Sequence, residues 1–543
     1  MPESKKSPWS WTPPPLPSTH EIFCQSSVQN DRVWHRLPWA TESAYASFNF
    51  ASPGYGDVII SCQLTSTNYK IDNGTVKQAV RLLRYDHPAI AAKWACPKPG
   101  GASNSAEKRL AYEVPGSEGD VDVWLSDVIT DRSDALGEAN GDVDAAIALV
   151  RHDLGKAGTG PPTTFFEAHF VPSSSGGPAC GIVLRLGHAV FDATGSFQIL
   201  DSLIERIAQI LRSGGHKKLN WGDEVVRLAE PFPDIAKVPW SLDSMKSRED
   251  RFMLDKLAET VKVGENMPGV RFAHPADSLI LGTGFITRTM LADSVQALRS
   301  VARNHGCTLS SIFESASLLS LLRINYVRRM PSINTGYMNP VDLRARHLRA
   351  DTDPRNKAHW RAANSIGFAA YIVRDLQRFV HPGDICLGPE QLLQDLWVLA
   401  KETQAQVEEN REVMDRAAFW VHEFLEAALA ALGVEGGPKV SAKPAVGSLG
   451  VVDQHLSQRV AVNERDFLVV SQPKLAVRHP VLTCHIYTWS GTLYIDFSFT
   501  EGYYGTLDEQ LGAAKEGLAD RASLLAFIDE FMGILQLVVD SAP

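Results

Sequence analysis

The sequence lacks the features that mark several large classes of protein. Its 543 residues include only seven cysteines, which lie tens of residues apart without a CxxC pair, so neither a disulfide framework nor a zinc site is expected. No run of about 18 apolar residues is present, which argues against a membrane span. Positive charge is also scarce: 53 lysines and arginines face 63 aspartates and glutamates, a formal net charge of −10, so we expect neither a nucleic-acid partner nor an anionic membrane partner.

The amino-terminal stretch also lacks a targeting signal. Residues 1–17, MPESKKSPWSWTPPPLP, contain no apolar segment of the kind found in signal peptides. Its prolines favour an extended arm that contributes little to a core; the alternative is that Trp9, Trp11 and Trp34 dock this arm. We therefore expect a cytoplasmic protein.

The length and composition predict two domains. A chain of 543 residues exceeds the roughly 250 to 300 residues at which single cores stop growing, and 44% hydrophobic with 21% charged residues is typical of globular proteins. Residues 213–275 alternate short apolar pieces with proline, glycine and charge, which is typical of an interdomain crossover. We predict domains at 1–235 and 236–543.

Strand and helix patterns occur in both predicted domains, which indicates an α/β or α+β fold. Alternating or continuous apolar runs predict strands, and apolar residues spaced three and four apart predict helices. The predicted strands span residues 57–65, 181–186, 284–290, 364–373, 481–489 and 492–499. The predicted helices span residues 75–85, 200–211, 294–305, 312–328, 389–432 and 522–539.

The segment after Cys180 has the strongest local pattern. A compact apolar run, GIVLRL, predicts a buried strand, and it ends at the sequence GHAVFDATG. The amphipathic spacing that follows predicts a helix with Thr194 or Ser196 as its N-cap. His188 therefore lies on a connection from a strand to a helix.

Sharper catalytic signatures are missing. The sequence contains no GxSxG, GxxxxGK[ST] or GxGxxG motif, which removes the main support for hydrolase and nucleotide-binding functions. The segment His422 to Glu426 is not a zinc-peptidase motif, because its fifth residue is glutamate and not histidine.

An HxxxD pair remains, and it occurs twice. His347 and Asp351 lie in an arginine-rich polar stretch with no strand before it, whereas His188 and Asp192 lie between a buried strand and an amphipathic helix. This context selects His188 as a candidate catalytic base. The alternatives are that His188 is a core histidine with a satisfied hydrogen bond and that Asp192 is a helix N-terminal charge, which the helix dipole favours.

These segments resemble the chloramphenicol-acetyltransferase-like superfamily of CoA-dependent acyltransferases. The group includes plant BAHD acyltransferases, fungal trichothecene O-acetyltransferases and the condensation domains of peptide synthetases. The resemblance rests on LRYDHPAIAAKW at 83–94, HAVFDATG at 188–195, NPVDLRAR at 339–346 and SIGFAAYIV at 365–373. It is nearest to fungal trichothecene 15-O-acetyltransferase-like enzymes.

The resemblance implies a fold and a site. The fold has two similar domains, each a mixed sheet with flanking helices, and a tunnel between them in which acyl-CoA and acceptor meet at the histidine. It implies that His188 is the general base and that Asp192 turns away from the ring and pairs with an arginine, for which Arg344 is our candidate. We expect Asp342 and Arg344 to form an intradomain ion pair; the alternative is that they contact the substrate.

The implied activity is transfer of an acetyl or short acyl group from acyl-CoA to a hydroxyl of a terpenoid or polyketide secondary metabolite. Acyl-CoA is a co-substrate, so we expect no permanently bound cofactor and no metal, and the resemblance identifies no CoA-contacting residue. We expect a monomer. The family's HxxxDG glycine is replaced by Ala193 here, which supports an alternative: a cyclase or binding protein of the same fold without CoA chemistry.

Overall fold

A computed structural model describes most of the chain. The described residues are 10–13, 32–51, 56–66, 68–95, 109–156, 164–174, 177–214, 218–235, 255, 259, 268–274, 282–325, 333–344, 362–380, 388–410, 443–479, 481–515 and 522–542. The second HxxxD pair (His347 and Asp351), the segment from His422 to Glu426 and residues 411–432 of the predicted long helix lie outside them.

The strands are numbered in chain order. They are β1 (Val33–Arg36), β2 (Asp57–Ser66), β3 (Lys93–Ala95), β4 (Arg109–Glu113), β5 (Ile129–Asp131), β6 (Phe166–Val171), β7 (Ala179–Gly187), β8 (Thr283–Met290), β9 (Thr335–Asp342), β10 (Ile366–Val373), β11 (Ala445–Val451), β12 (Arg459–Ala461), β13 (Phe467–Val477), β14 (Thr483–Trp489) and β15 (Thr492–Thr500).

The helices are numbered in the same way. They are α1 (Ala40–Ala51), α2 (Asn73–Asp86), α3 (Glu118–Val128), α4 (Ser133–Glu138), α5 (Val143–Gly155), α6 (Ala193–Ser213), α7 (Phe232–Ile235), α8 (Ala292–Asn304), α9 (Leu309–Asn325), α10 (Pro389–Asn410), α11 (Glu501–Tyr504), α12 (Leu507–Lys515) and α13 (Leu524–Asp540).

A six-stranded mixed sheet organises the first half of the chain. Its order is β12-β13-β2-β7-β6-β5, so two strands from residues 459–477 complete a sheet that is otherwise built before residue 190. Helices α2 and α6 cover one face and α5 covers the other. Because side chains alternate along a strand, Ile60 and Leu184 pack towards α2 and α6, whereas Ile59 and Val183 pack towards α5.

A second, four-stranded sheet has the order β11-β14-β15-β8. One face packs on the helices α8, α9 and α13 through residues such as Ile486 and Phe497. Tyr487 and Trp489, on the other face, join the core of the first half. The second sheet therefore packs against the first half of the chain, and the domain boundary near residue 235 stays a prediction.

Most predicted elements match the structure within a few residues, which confirms the mixed α/β class. The N-cap prediction for α6 was wrong: Asp192 is the cap, and its carboxylate accepts from the Gly195 backbone N–H. Thr194 and Ser196 are already inside the helix. A carboxylate is preferred at this position because it also interacts favourably with the positive end of the helix dipole.

Local chemistry explains two further boundaries. Helix α6 ends at Gly214, whose φ of +61° is left-handed and costs little without a Cβ. The turn between β14 and β15 has φ of +51° at Ser490 and +79° at Gly491, the positive values that tight hairpins favour.

The described residues include four cysteines and the helices named above. Cys62, Cys180, Cys307 and Cys484 are free and buried, as expected for thiols used in packing. No single described helix is long and apolar enough to cross a membrane; α8 and α9 reach the threshold only when taken together, with a bend of 96° between them.

Candidate active site

His188 lies where three neighbouring inner strands of the six-stranded sheet, β13, β2 and β7, begin or end. It follows β7 directly, and its backbone N–H donates to the Gly56 carbonyl at 2.8 Å. Gly56 precedes β2, and its own N–H donates to the Arg478 carbonyl, just after β13, at 2.7 Å. The sheet therefore fixes the backbone of His188 against segments from both ends of the chain.

The loop after His188 is also held by the second half of the chain. The Asn364 side chain donates to the His188 carbonyl at 2.9 Å, and the Asn364 backbone N–H donates to the Val190 carbonyl at 2.8 Å. Asn364 is 1% exposed, so these hydrogen bonds are shielded from water. These hydrogen bonds fix the position of the His188 loop relative to the segment that precedes β10.

Asp192 pairs with the predicted arginine. One carboxylate oxygen accepts from Arg344 Nη2 at 2.8 Å and from the Gly195 backbone N–H at 2.7 Å, and the other accepts from the Ser365 backbone N–H at 2.8 Å. Arg344 also donates to Asp342 at 3.0 Å, so the expected ion pair between these two residues is present as well. Among the described residues, none of the hydrogen bonds of Asp192 goes to His188.

Burial and charge act in opposite directions on this pair. Burial alone would lower the pKa of Arg344, but the carboxylates of Asp192 and Asp342 raise that pKa above its ordinary value. The guanidinium is therefore charged at neutral pH. Removing only one partner of an ion pair buried this deeply destabilises the fold, because the other charge then stays buried without it.

The structure explains why Ala193 is tolerated. Ala193 is the first residue of α6, a position that needs no glycine. Gly195 does need to be glycine: a Cβ there would lie 2.1 Å from the Ala362 carbonyl oxygen and 3.2 Å from the Arg344 guanidinium. The close approach to the second half of the chain occurs at Gly195.

The imidazole of His188 is neutral near pH 7. The side chain is 5% exposed, and this burial lowers its pKa to about 4, although its own backbone carbonyl opposes the shift. Nδ1 has no hydrogen-bond partner in another described residue. A neutral imidazole can accept a proton, which is what a general base must do.

Two further histidines interact electrostatically with His188. His479 follows β13 and His485 is on β14; burial, followed by charge repulsion from His188, lowers the pKa of His479 to about 3 and that of His485 to about 4. The Val481 backbone N–H donates to His479 Nδ1 at 3.2 Å. We call His188, His479 and His485 the histidine cluster.

The histidine cluster predicts loss of stability in acid. Between the folded-state pKa values of about 3 to 4 and the ordinary value of 6.5, the unfolded chain binds more protons than the folded one. The free energy of unfolding therefore falls as the pH drops from 6.5 towards 4 and is fully recovered above 6.5. Denaturant unfolding at pH 7, 6 and 5 measures this dependence of the free energy of unfolding on pH. His485→Gln should make that dependence weaker. An equal dependence in the parent and in His485→Gln would contradict the prediction.

Tyr45 of α1 covers the His188 ring. The two rings stack with centroids 3.8 Å apart and planes 12° from parallel. Burial, with a smaller contribution from the charge of Asp192, raises the pKa of Tyr45, so its phenol stays protonated. Tyr45 thereby restricts the rotation of the candidate base.

Four residues around His188 were not predicted from the sequence as parts of the site: Tyr45, Asn364, His479 and His485. The last two follow His188 by about three hundred residues, so no local pattern connects them. One signal was available for His485, because it is the one ionisable imidazole in a predicted strand made mostly of apolar residues.

Other features lie apart from this site. A cavity of about 360 Å³ in the second half of the chain is lined by Arg299, Arg303, Ser448 and Thr488 among others, and the histidine cluster is not part of its lining. The described residues contain no group of three or more metal-ligating side chains that could hold a metal ion.

Comparisons by sequence and by structure give different results. No protein-family model matches the sequence, and the search of curated proteins gives no match. Among solved structures, TRI3 trichothecene 15-O-acetyltransferase from Fusarium sporotrichioides is similar with a TM-score of 0.74 and 15% identity, over 98% of each chain.

Condensation domains of peptide synthetases are also similar. The first condensation domain of the calcium-dependent antibiotic synthetase, in complex with a substrate analogue, has a TM-score of 0.57 and 14% identity over 94% of this chain and 97% of its own. The starter condensation domain of rhizomide synthetase in complex with C8-CoA has a TM-score of 0.53 and 14% identity over 93% and 94%. The chain therefore shares its fold with this acetyltransferase and these condensation domains.

Proposed function

We propose that the protein is a CoA-dependent O-acyltransferase that moves an acetyl or short acyl group to a hydroxyl of a secondary metabolite, with His188 as general base. The proposal is based on the buried, neutral imidazole of His188, which lies on a loop hydrogen-bonded to both halves of the chain. Similarity to a trichothecene acetyltransferase and to a condensation domain with bound C8-CoA supports acyl transfer from CoA. We also propose that the enzyme acts in the cytoplasm, where acyl-CoA is available as co-substrate.

His188 would act on the acceptor hydroxyl. The hydroxyl oxygen attacks the thioester carbonyl carbon while the imidazole takes the hydroxyl proton, which contributes roughly 10² to 10⁴ in rate. The tetrahedral intermediate then collapses, the carbon–sulfur bond breaks, and the CoA thiolate takes the proton from the imidazolium. Burial of His188 favours transfer of the proton from the imidazolium to the thiolate, because burial disfavours the charged form of the ring.

Asp192 and Arg344 would act by position. Their ion pair joins the N-terminus of α6 to the segment after β9. Because α6 begins directly after the loop that carries His188, this contact sets where the ring lies relative to the second half of the chain. Asp192 is thus a positioning residue in the proposal.

Release of free thiol tests the proposed function. The protein is incubated with acetyl-CoA and a panel of sesquiterpene and polyketide alcohols, and free CoA is measured against the hydrolysis background. We expect release that depends on the alcohol. No release with a broad panel would favour the alternative of a cyclase or binding protein without CoA chemistry.

Tyr45 predicts a graded effect on this activity. Tyr45→Phe keeps the stacked ring and should retain the rate within about twofold. Tyr45→Ala removes an aromatic contact of about 0.5 to 1.5 kcal/mol and should lower kcat by about two- to tenfold, because the imidazole can then rotate. Steady-state CoA release measures both variants, and equal rates for them would contradict a positioning role for Tyr45.

A further inference from the structure

The cavity of about 360 Å³ lies between the second sheet and the helices α8 and α9. Its apolar lining includes Ala302 of α8, Phe313 of α9 and Ile486 of β14, which belong to one buried core. This volume falls within the range of roughly 300 to 1,000 Å³ that is typical of small-molecule sites. The cavity is therefore large enough to hold a small ligand.

The cavity carries positive charge, although the chain as a whole has a formal net charge of −10. Arg299 and Arg303 line it, and their spacing of four residues places both on the same face of α8. The described lining residues include no aspartate or glutamate. Within the part of the chain that the structure describes, neither arginine forms an ion pair. Two guanidinium groups without a carboxylate partner favour an anionic ligand.

The first turn of α9 adds backbone donors to the same cavity. Leu309 and Ser310 are the first two residues of this helix, and both line the cavity. The first N–H groups of a helix have no acceptor within it. Thr308 satisfies the next two, because its Oγ1 accepts from Ser311 and its carbonyl from Ile312, both at 3.2 Å. The N–H groups of Leu309 and Ser310 remain available to an anion, as at other helix N-termini.

Thr488 provides independent evidence for a polar ligand. It lies on β14 two residues after Ile486, and so on the face of the sheet that α8 and α9 cover. Thr488 lines the cavity and is 4% exposed, and its hydroxyl has no hydrogen-bond partner in the described part of the chain. A hydroxyl shielded from bulk water and left without a partner costs free energy, which a bound ligand oxygen recovers.

We propose that this cavity binds the phosphate group of a phosphorylated small molecule. Its donors come from α8, α9 and β14, with Ser448 of β11 as a fourth, so they approach from different directions. The tetrahedral oxygens of a phosphate accept from several directions, whereas a carboxylate offers two oxygens in one plane. Two sources carry this chemistry: the phosphorylated adenosine part of CoA and a free phosphorylated metabolite. The inference goes beyond the proposed function, because it requires binding and no acyl transfer.

Calorimetric binding to the full chain tests the site without turnover. The probes are adenosine 3′,5′-bisphosphate and adenosine, and we expect the parent to bind the bisphosphate at least about tenfold more tightly. Arg299→Gln and Arg303→Gln should each weaken bisphosphate binding by about tenfold, and Thr488→Val, which keeps the side-chain shape, by about threefold. Arg288→Gln is the matched control and should change nothing, because Arg288 lies on β8 in the same half of the chain, outside the cavity lining.

Two results would overturn the inference. One is equal affinity of the parent for the bisphosphate and for adenosine. The other is unchanged bisphosphate affinity in Thr488→Val, since a general attraction of anions to the two arginines does not require that hydroxyl.

Acetyl-CoA identifies the source of the phosphate. If CoA is the ligand, both arginine variants bind acetyl-CoA more weakly than the parent does. If a free metabolite is the ligand, only the affinity for the bisphosphate falls. Bisphosphate binding in a protein that transfers no acyl group would contradict the proposed function and leave the phosphate site supported.

Discussion

Replacing His188 with alanine is expected to lower kcat for acyl transfer by roughly 10² to 10⁴, the usual contribution of a positioned general base. The melting temperature should stay within a few degrees of that of the parent, because His188 Nδ1 has no hydrogen-bond partner in another described residue and the stacked contact with Tyr45 contributes only about 0.5 to 1.5 kcal/mol. Backbone contacts of the loop through Gly56 and Asn364 do not depend on this side chain. Initial rates of CoA release and thermal unfolding measure the two effects.

A second histidine variant is the control for His188→Ala. His347→Ala removes the histidine of the other HxxxD pair and should leave the rate unchanged. If both variants retained activity within a few-fold of the parent, general-base catalysis by His188 would be wrong. A large loss of stability in His188→Ala would instead favour the core-histidine alternative.

Asp192→Ala should lower stability and activity together. It removes the most deeply buried carboxylate beside the Arg344 guanidinium, and breaking such a buried pair costs about 3 to 5 kcal/mol. That is a large share of the roughly 5 to 15 kcal/mol by which a folded domain is stable. We expect the melting temperature to fall by several degrees and activity to fall because the loop shifts. Thermal unfolding and CoA release on the same samples measure both.

Asp342→Ala provides a matched control on the same arginine. The Asp342 side chain is 34% exposed, whereas that of Asp192 is 1% exposed, so the loss of the Asp342 carboxylate should cost about 1 kcal/mol or less.

Equal thermal stability of Asp192→Ala and His188→Ala, with both variants inactive, would reject the structural role of Asp192. Asp192 would then be a direct partner of the imidazole.

A double substitution separates the ion pair from the rest of the Asp192 contacts. In Asp192→Ala with Arg344→Met both partners of the ion pair are gone, so the loss of stability should be smaller than the sum of the two single losses. Additive losses would show that the two side chains do not interact appreciably. Denaturant unfolding of the parent, both single variants and the double variant gives this coupling.

Local sequence patterns are sufficient to place His188 between a strand and a helix. A compact apolar run predicts β7, and apolar residues three and four apart predict α6, because both patterns reflect one buried face with a fixed period. The N-cap of α6 was missed because side chains of three neighbouring residues, Asp192, Thr194 and Ser196, are all suited to it.

The surroundings of the imidazole depend on contacts between distant parts of the chain. Tyr45, Asn364 and His485 come from α1, the segment before β10, and β14, and no periodicity of a single chain segment relates them. The same holds for β12 and β13, which join the first sheet from the second half of the chain. Backbone pairing and burial over hundreds of residues bring these groups together, whereas sequence patterns report only which face of each element is buried.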